Sequence, residues 1–440
     1  MRTLFVPLAV MALAVPPAFS QPAAGSNPSP IRHTAAATAE PAGPLDLRSA
    51  LGLALRFNPG LSSASREREA GDAAVLQAGA WPNPVFDAQV EDLRRGNRTT
   101  TLQLSQPIEL GGKRAARVTA AERARDQAAS ALLARRSELR ASVITLFFEL
   151  LAAQERLRLA QDSVGLAETA TRAAANRVAA GKVSPLEESR ARVAEAGIRV
   201  ELLQAEGALR SARQQLAALW GNPNPRFTQA DGALDRLPAD AAAADVEGRL
   251  SAAPVLRQAR LEVERRQALS DLEQARRVPD VTVSLGAKRV PADEGMGSSR
   301  NQVVVGLSVP LPIFDTNRGN VAEALSREEK ARDELAAAEL QLGADAARAT
   351  ERLRSARATA LTLQRDALPG AEAAYKAAAR GFELGKFSFL EALDAQRTLF
   401  QVRNQHLLAV AEAHRAAAEL DRLLGIGADE ETPDAALAVR

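Results

Sequence analysis

The sequence predicts a mainly α protein with a small β part, built as an internal duplication of long coiled-coil helical hairpins plus four amphipathic strands. Three observations predict it. Ala, Leu, Arg, Glu and Gln dominate a chain of 440 residues with only 3% aromatics, a composition of long helices rather than of a thick globular core. Four short stretches switch to a hydrophobic period of two, the signature of half-buried strands. Finally, Gly181-Lys182-Val183-Ser184-Pro185-Leu186-Glu187 recurs 204 residues later as Gly385-Lys386-Phe387-Ser388-Phe389-Leu390-Glu391. Each copy reads as a turn between two long antiparallel helices, with Gly reversing the chain and Ser as N-cap.

Charge and cysteine content narrow the function classes. The 56 basic and 54 acidic residues leave a net charge of +2, which argues against a nucleic-acid footprint. The absence of cysteine excludes disulfides, thiolate metal sites and a lipid-anchored N-terminal Cys. Residues 1–20 read as a secretory signal, with Arg2, an apolar run from Leu4 to Val15, and cleavage after Ser20. That run is too short for a membrane anchor, and no later segment offers the roughly 20 uninterrupted apolar residues of a spanning helix. Entry into a membrane therefore depends on strands.

In chain order, residues 21–44 are rich in Pro, Ala, Ser and Gly and read as an extended arm. Helical patterning begins near Leu45, with Asp46 as a cap, pauses at Asn58-Pro59, and resumes from about Leu61 to Ala80. In Val85–Glu91, Phe86, Ala88 and Val90 alternate with Asp87, Gln89 and Glu91. After the polar turn Arg94–Arg98, Leu102 and Leu104 alternate with Thr101, Gln103 and Ser105, completing a hairpin. From Lys113 to Ala180 the pattern is helical, roughly 100 Å at the helical rise. Val143, Leu146, Leu150, Ala153, Leu157, Ala160, Val164, Ala167, Thr171, Ala174 and Val178 form a narrow, Ala-rich coiled-coil seam. The return helix, Leu186–Trp220, offers Leu186, Val193, Val200 and Leu203 as its seam, then Leu202, Leu209, Leu216 and Leu219.

A linker, 222–244, leads into a second pass through the same order. Asn58-Pro59-Gly60-Leu61 is echoed by Ala253-Pro254-Val255-Leu256, and Leu219-Trp220-Gly221 by Leu423-Leu424-Gly425. Val281, Val283, Leu285 and Ala287 form the apolar face of one strand, and Val303, Val305, Leu307 and Val309 that of the next, with the loop Pro291–Arg300 between them. A helix over about Val321–Leu368 carries Leu335, Leu342, Ala349, Ala356 and Leu363 every seven residues. After the second tip, Leu399, Val402, His406, Ala409, Ala413, Ala416, Leu420 and Leu423 line the last helix. A repeat near 200 residues is too long for a solenoid.

Strands of about ten residues with one apolar and one polar face fit the wall of an outer-membrane barrel. Four strands cannot close, and an open edge in lipid leaves backbone groups unpaired, so the pore needs an oligomer. The alternative is a soluble four-stranded sheet packed on helices. Helices of such length suit a tube hanging into the periplasm, the alternative being an inert spacer. Glu391 and Asp394, three residues apart on one helix face, favour a job for the second tip, although acids in a first turn also suit the helix dipole.

The duplicated order, the GKxSxLE tips and the stretch Leu393-Asp394-Ala395-Gln396-Arg397-Thr398-Leu399-Phe400-Gln401 resemble the TolC-type outer-membrane efflux channels, over roughly Leu45–Gly425. Pro107-Ile108-Glu109-Leu110-Gly111-Gly112-Lys113-Arg114, Ser284-Leu285-Gly286-Ala287-Lys288-Arg289 and Pro310-Leu311-Pro312-Ile313-Phe314-Asp315 are similar to its cobalt–zinc–cadmium resistance branch. The resemblance implies a homotrimer whose twelve-stranded β-barrel, set in outer-membrane lipid, continues into a periplasmic α-barrel. It implies two efflux repeats, 45–221 and 245–425, followed by a tail over 426–440. Its implied partners are a periplasmic adaptor and a proton-driven inner-membrane pump of the resistance–nodulation–division type, and its implied cargo is divalent heavy-metal cations. A drug or organic-solute duct is the alternative within the family, and a periplasmic coiled-coil adaptor the alternative outside it.

The resemblance also assigns residues. Glu391 and Asp394 correspond to the acidic ring at the periplasmic aperture and Glu187 to the first-half position, with Arg397 or Arg190 as cations that offset their repulsion. Phe382 stands where the family often has an aromatic at the gate, and Phe387 replaces a basic residue that can hold the gate shut. Gly181, Lys182, Gly385 and Lys386 mark the tips that meet the adaptor.

Nothing points to an enzyme, a cofactor or a resident metal. The three histidines are His33 in the arm, His406 on the seam, and His414 eight residues further, beyond the i,i+4 spacing that shares a metal. Gly111-Gly112-Lys113-Arg114 has the wrong spacing for a phosphate loop and marks a strand-to-helix transition. Met296 is the sole Met beyond the signal, which disfavours soft-ligand ferrying. Trp81 and Trp220 read as core or interface anchors.

Overall fold

The computed structural model describes residues 39–92, 98–234, 236–240, 243–291, 299–384 and 386–427. The signal, most of the arm, the strand-connecting turn after Asp92, most of the loop Pro291–Arg300, Gly385 and the tail beyond residue 427 lie outside the described residues.

The elements are β1 (Leu45–Asp46), α1 (Leu47–Phe57), α2 (Pro59–Ala78), β2 (Val85–Glu91), β3 (Thr99–Ile108), α3 (Lys113–Ala179) and α4 (Pro185–Ala218), followed by β4 (Ala230–Asp231), α5 (Ala243–Leu250), α6 (Pro254–Ala275), β5 (Val281–Val290), β6 (Arg300–Ser308), α7 (Arg318–Thr362), α8 (Leu368–Glu383) and α9 (Phe389–Leu424). The mainly helical chain thus runs through helix, strand pair, long helix, tip and return helix twice. Asp46 caps α1 by accepting from the Ser49 N–H, and Asn58 caps α2 ahead of Pro59.

β2, β3, β5 and β6 form one antiparallel sheet in that order. The register sets Phe86 against Leu104, Leu104 against Leu285, and Leu285 against Val305, so the apolar residues share one face across all four strands. That face is uncovered: Phe86 is 66% exposed and Val305 74%, with Leu102, Leu285, Val303 and Leu307 also exposed. A sheet packed on helices would bury these side chains, so the soluble-sheet alternative fails. Among the described residues, no helix is long and apolar enough to cross a membrane.

The sheet joins the helices without a spacer. Gly111 and Gly112 turn the chain at positive φ, and a Cβ on Gly111 would stand 2.6 Å from Val278, so the two halves meet here too closely for any side chain. Lys113 pairs with Asp280 at 2.6 Å across the same junction. From it α3 runs 67 residues, roughly 100 Å at the helical rise. Val143, Leu150, Ala153, Ala160, Ala167 and Ala174 of the predicted seam are buried. Their small side chains let α4 and α9 approach α3 on two sides.

Two expectations are corrected. Leu186, Val193, Val200 and Leu203 of α4 are exposed, and α4 instead turns Ala191, Ala194, Ile198 and Ala205 inward, because alanines permit closer packing than the larger residues. The helix expected to stop near Leu368 continues to Glu383. A π turn over Leu363–Ala367 precedes Pro369, whose ring clashes with, and whose missing N–H cannot reach, the carbonyl four residues back. The stretch between the two halves is itself packed: β4 pairs with β1, Gln154 brackets Ala230 with two hydrogen bonds, and Phe227 is fully buried.

The end of the expected arm is fixed as well. The buried Glu40 carboxylate accepts from Trp220 Nε1 (3.0 Å), Asn222 Nδ2 (2.6 Å) and the backbone N–H groups of Arg226 and Phe227. Trp220, 1% exposed, is the core anchor, packed with Phe147, Leu150, Leu216 and Phe227 in the first-half core. Leu342, Ala349, Leu353, Ala413, Leu420 and Leu423 form the second-half core. Trp81, by contrast, is exposed, with Arg114 stacked on its ring.

Candidate functional site

The two tips lie side by side at the end of the helices remote from the sheet. At the first, Gly181 adopts φ +68°, its N–H bonds to Val178 O and that of Lys182 to Arg177 O, which closes the C-terminus of α3. Ser184 then accepts from the Leu186 N–H and Pro185 opens α4. Lys182 and Arg190 are exposed, Glu187 is half-buried, and Glu188 pairs with Arg192 at 2.5 Å.

At the second tip the N–H groups of Lys386 and Phe387 both bond to Gly381 O. The Phe387 ring lies on Gly381: a Cβ there would be 2.1 Å from ring atom Cδ2. Ser388 caps α9 through a capping box. The Ser388 N–H and hydroxyl both donate to Glu391 Oε2, at 2.7 and 2.9 Å, and the Glu391 N–H returns a bond to the Ser388 hydroxyl. The backbone and side-chain bonds from Ser388 hold the Glu391 carboxyl below the usual carboxylate range. Asp394 and Arg397 are exposed, and neither forms an ion pair within 4 Å among the described residues. The two acids therefore differ: Glu391 is engaged by the cap of its own helix, whereas Asp394 is exposed.

Phe382 is half-buried between the two tips. It packs with Ala170, Ala174, Ala191, Ala194 and Leu393. Arg177 of α3 lies over its ring at 4.6 Å and donates to its carbonyl at 2.8 Å, so one side chain clasps both the aromatic and the C-terminal end of α8. Sequence reasoning missed Arg177. The available signal is the repeat itself, because the residue 204 positions on is Gly381, the seat of Phe387.

Higher up, the hairpins are joined by Gln396 to Ser163 O, Arg156 to Asn404 (3.0 Å) and Arg415 to Glu149. Burial pushes the His406 pKa down. His414 stacks on Phe148 at 3.4 Å and bonds to Arg236 O, a packing role. Among the described residues, no three of His, Asp and Glu converge on a point that could hold a metal.

Against this geometry, the family profile described as outer membrane efflux protein matches residues 50–222 and 248–426. The chain belongs to that family. It is an outer-membrane protein of the efflux-channel class. It is 44% identical over 427 residues to the cobalt-zinc-cadmium resistance protein CzcC of Cupriavidus metallidurans, covering 97% of this chain and 100% of that one. The nickel and cobalt resistance protein CnrC of the same organism is 29% identical over 62% of this chain and 65% of its own. Among solved structures, the outer-membrane channel OprN superposes with a TM-score of 0.72 over 86% of this chain and 89% of that one; at 20% identity this likeness concerns the fold.

Proposed function

We propose that this chain is the outer-membrane exit duct of a three-part efflux system for divalent heavy-metal cations. Three copies join their four-stranded sheets into a twelve-stranded barrel, and their helices continue it as a periplasmic tube closed at the tips. A periplasmic adaptor meets the tips around Gly181, Lys182, Gly385 and Lys386, and a proton-driven inner-membrane pump loads the duct. The observation that carries this reading is the uncovered apolar sheet face fused to helices of roughly 100 Å. Only lipid satisfies that face, and only a closed ring satisfies its edges.

The full-length likeness to a cobalt-zinc-cadmium resistance protein supports the cargo. At the aperture, Asp394 and Glu391 from three copies make a cation-favouring ring, with Glu187 beside it and Arg397 and Arg190 moderating the repulsion. The ring selects by field during transit and does not chelate. The Arg177–Phe382 clasp is the contact that keeps neighbouring tips together. Deleting the gene should sensitise cells to zinc, cobalt or cadmium and leave tolerance to organic toxicants unchanged. The opposite pattern, in a strain without a second such channel, sinks the metal assignment in favour of an organic-solute duct.

A further inference from the structure

The strand register lays out the uncovered face of the sheet in rows. Phe86, Leu104, Leu285 and Val305 form one row, and Ala88, Leu102, Ala287 and Val303 form the next, further from the helices. One row beyond, the chemistry changes: Val90 is followed by Thr100, Arg289 and Asn301. Period two carries the same face on to Arg98, directly before β3, and to Ser299, directly before β6. Arg98, Arg289, Ser299 and Asn301 are all exposed. Arg98 is the diagonal neighbour of Arg289, with backbones roughly 7–8 Å apart.

The chain's own charge pairing leaves both arginines over. Lys288, on the opposite face, pairs with Glu91 at 3.7 Å. Arg289 instead donates from Nε to the Ser299 hydroxyl at 3.1 Å, and among the described residues neither it nor Arg98 forms an ion pair. Depth decides what a cation on this face can meet. A charge facing lipid is strongly disfavoured at the bilayer midplane and nearly free of cost at the polar border. From Val281 to Arg289 the strand rises about 26 Å, roughly 20 Å of depth at a tilt near 40°. Leu311, Ile313 and Phe314, exposed just past the helix-side end of β6, extend the apolar zone at the other end. An apolar band about 25 Å tall therefore ends where Arg289 and Arg98 stand.

The geometry points to Arg98 and Arg289 as a binding site for a phosphate of lipid A, the phosphorylated glycolipid of the outer leaflet. The inference rests on the lipid-facing reading of the sheet and adds which headgroup its outer border takes. In that reading the helices at one end of the strands occupy the periplasm, so the arginine border faces outward from the cell. Two guanidinium forks at this separation each offer paired N–H groups to one phosphate, a planar match that an ammonium lacks. Arg289 gives Nε to Ser299 and keeps its Nη groups for the anion. Thr100, Ser299 and Asn301 add hydroxyl and amide groups for the sugar and for acyl-chain hydroxyls. The row Val90, Thr100, Arg289 and Asn301 holds no carboxylate, so the anion meets no like charge there.

The test titrates the purified, delipidated protein with bisphosphorylated lipid A, with the same lipid dephosphorylated, and with phosphatidylglycerol, counting bound lipid by native mass spectrometry. Wild type should hold bisphosphorylated lipid A about tenfold more tightly than the dephosphorylated form. Arg98→Gln with Arg289→Gln should abolish that preference, and Arg289→Gln alone should fall between. Lys288→Gln, one residue away on the other face, should keep it. Absence of the preference in wild type, or its survival in the double variant, overturns the site. An equal loss in Lys288→Gln shows a general effect of rim charge and also overturns it. Phosphatidylglycerol bound as tightly as lipid A, through the same two arginines, makes the site one for any anionic headgroup and overturns lipid A as its occupant. Flotation with phosphatidylcholine vesicles separates the two readings. Wild type that stays soluble and does not float sinks the lipid-facing sheet, whereas wild type that floats without a phosphate preference sinks the arginine site alone.

Discussion

Replacing Arg177 by Ala removes a side chain that both stacks on Phe382 and bonds to its carbonyl. The stack contributes about 0.5–1 kcal/mol at a half-exposed site. A hydrogen bond from a charged donor adds about 1.5 kcal/mol, the low end of its range because the tip is wet. Together they favour the observed juxtaposition of one chain's two tips by about 2 kcal/mol, roughly a 30-fold bias per chain, which in the proposed duct is the closed arrangement. The assay is single-channel recording of purified protein in planar bilayers, with circular dichroism to show unchanged helix content. Arg177→Ala should raise open probability by at least an order of magnitude, and Arg177→Lys should fall between, since it keeps the charge without the planar fork. Arg415→Ala is the control: it breaks another link between α3 and α9, to Glu149, away from the tips, and should leave conductance unchanged. Wild-type closed-state conductance in Arg177→Ala, with the fold intact, would refute the clasp as a gate contact.

Val305→Lys puts a charge on the apolar sheet face and should cost about 2–4 kcal/mol near the bilayer centre, lowering the folded, membrane-inserted fraction; Val304→Lys on the other face should be tolerated. Burial opposes ionisation of Glu262, but hydrogen bonds from Arg265 and Arg266 outweigh it and hold its pKa at about 2. A depressed carboxyl stabilises the fold above the unfolded value near 4.5 and loses that contribution as pH falls toward 2. Glu262→Gln should therefore be less stable than wild type at pH 7 by about 1 kcal/mol after screening, seen as a lower thermal midpoint, and converge with it in acid. Asp394→Asn should reduce cation-over-anion selectivity in bilayers, whereas Glu391→Gln should chiefly speed amide exchange at the start of α9; equal selectivity losses would show both acids facing the aperture.

The strands and the α3 seam were legible because each obeys one period and one environment. Phe86, Leu104, Leu285 and Val305 alternate cleanly, and the register brings them onto one face. The α4 seam was not legible for the opposite reason. This helix carries two apolar stripes, one exposed and one buried, and pattern reading favours the larger residues, whereas the intrachain contact uses Ala191, Ala194, Ile198 and Ala205. Pro369-Gly370 carries the signal of a stop, yet a π turn ahead of it absorbs the missing hydrogen bond. Glu40 was invisible because its four donors lie some 180 residues away and follow no local period.

The tip acids show how local chemistry divides a cluster that spacing alone treats as one. Glu391 and Asp394 share a helix face, but only Glu391 stands three residues after the N-cap, where a carboxylate reaches back to the cap N–H. Its charge is spent on two bonds from Ser388 and on the positive end of the α9 dipole. Asp394, one turn on, is too far along the helix for either partner and remains exposed. In the proposed ring of three copies Asp394 would supply most of the field at the aperture and Glu391 the order of the tip. The first tip agrees with this division. Ser184 caps α4 through the Leu186 N–H instead, Glu187 makes no box with it, and the counterpart of Asp394 at the 204-residue offset is Arg190. At this position the second tip thus carries an acid and the first a base.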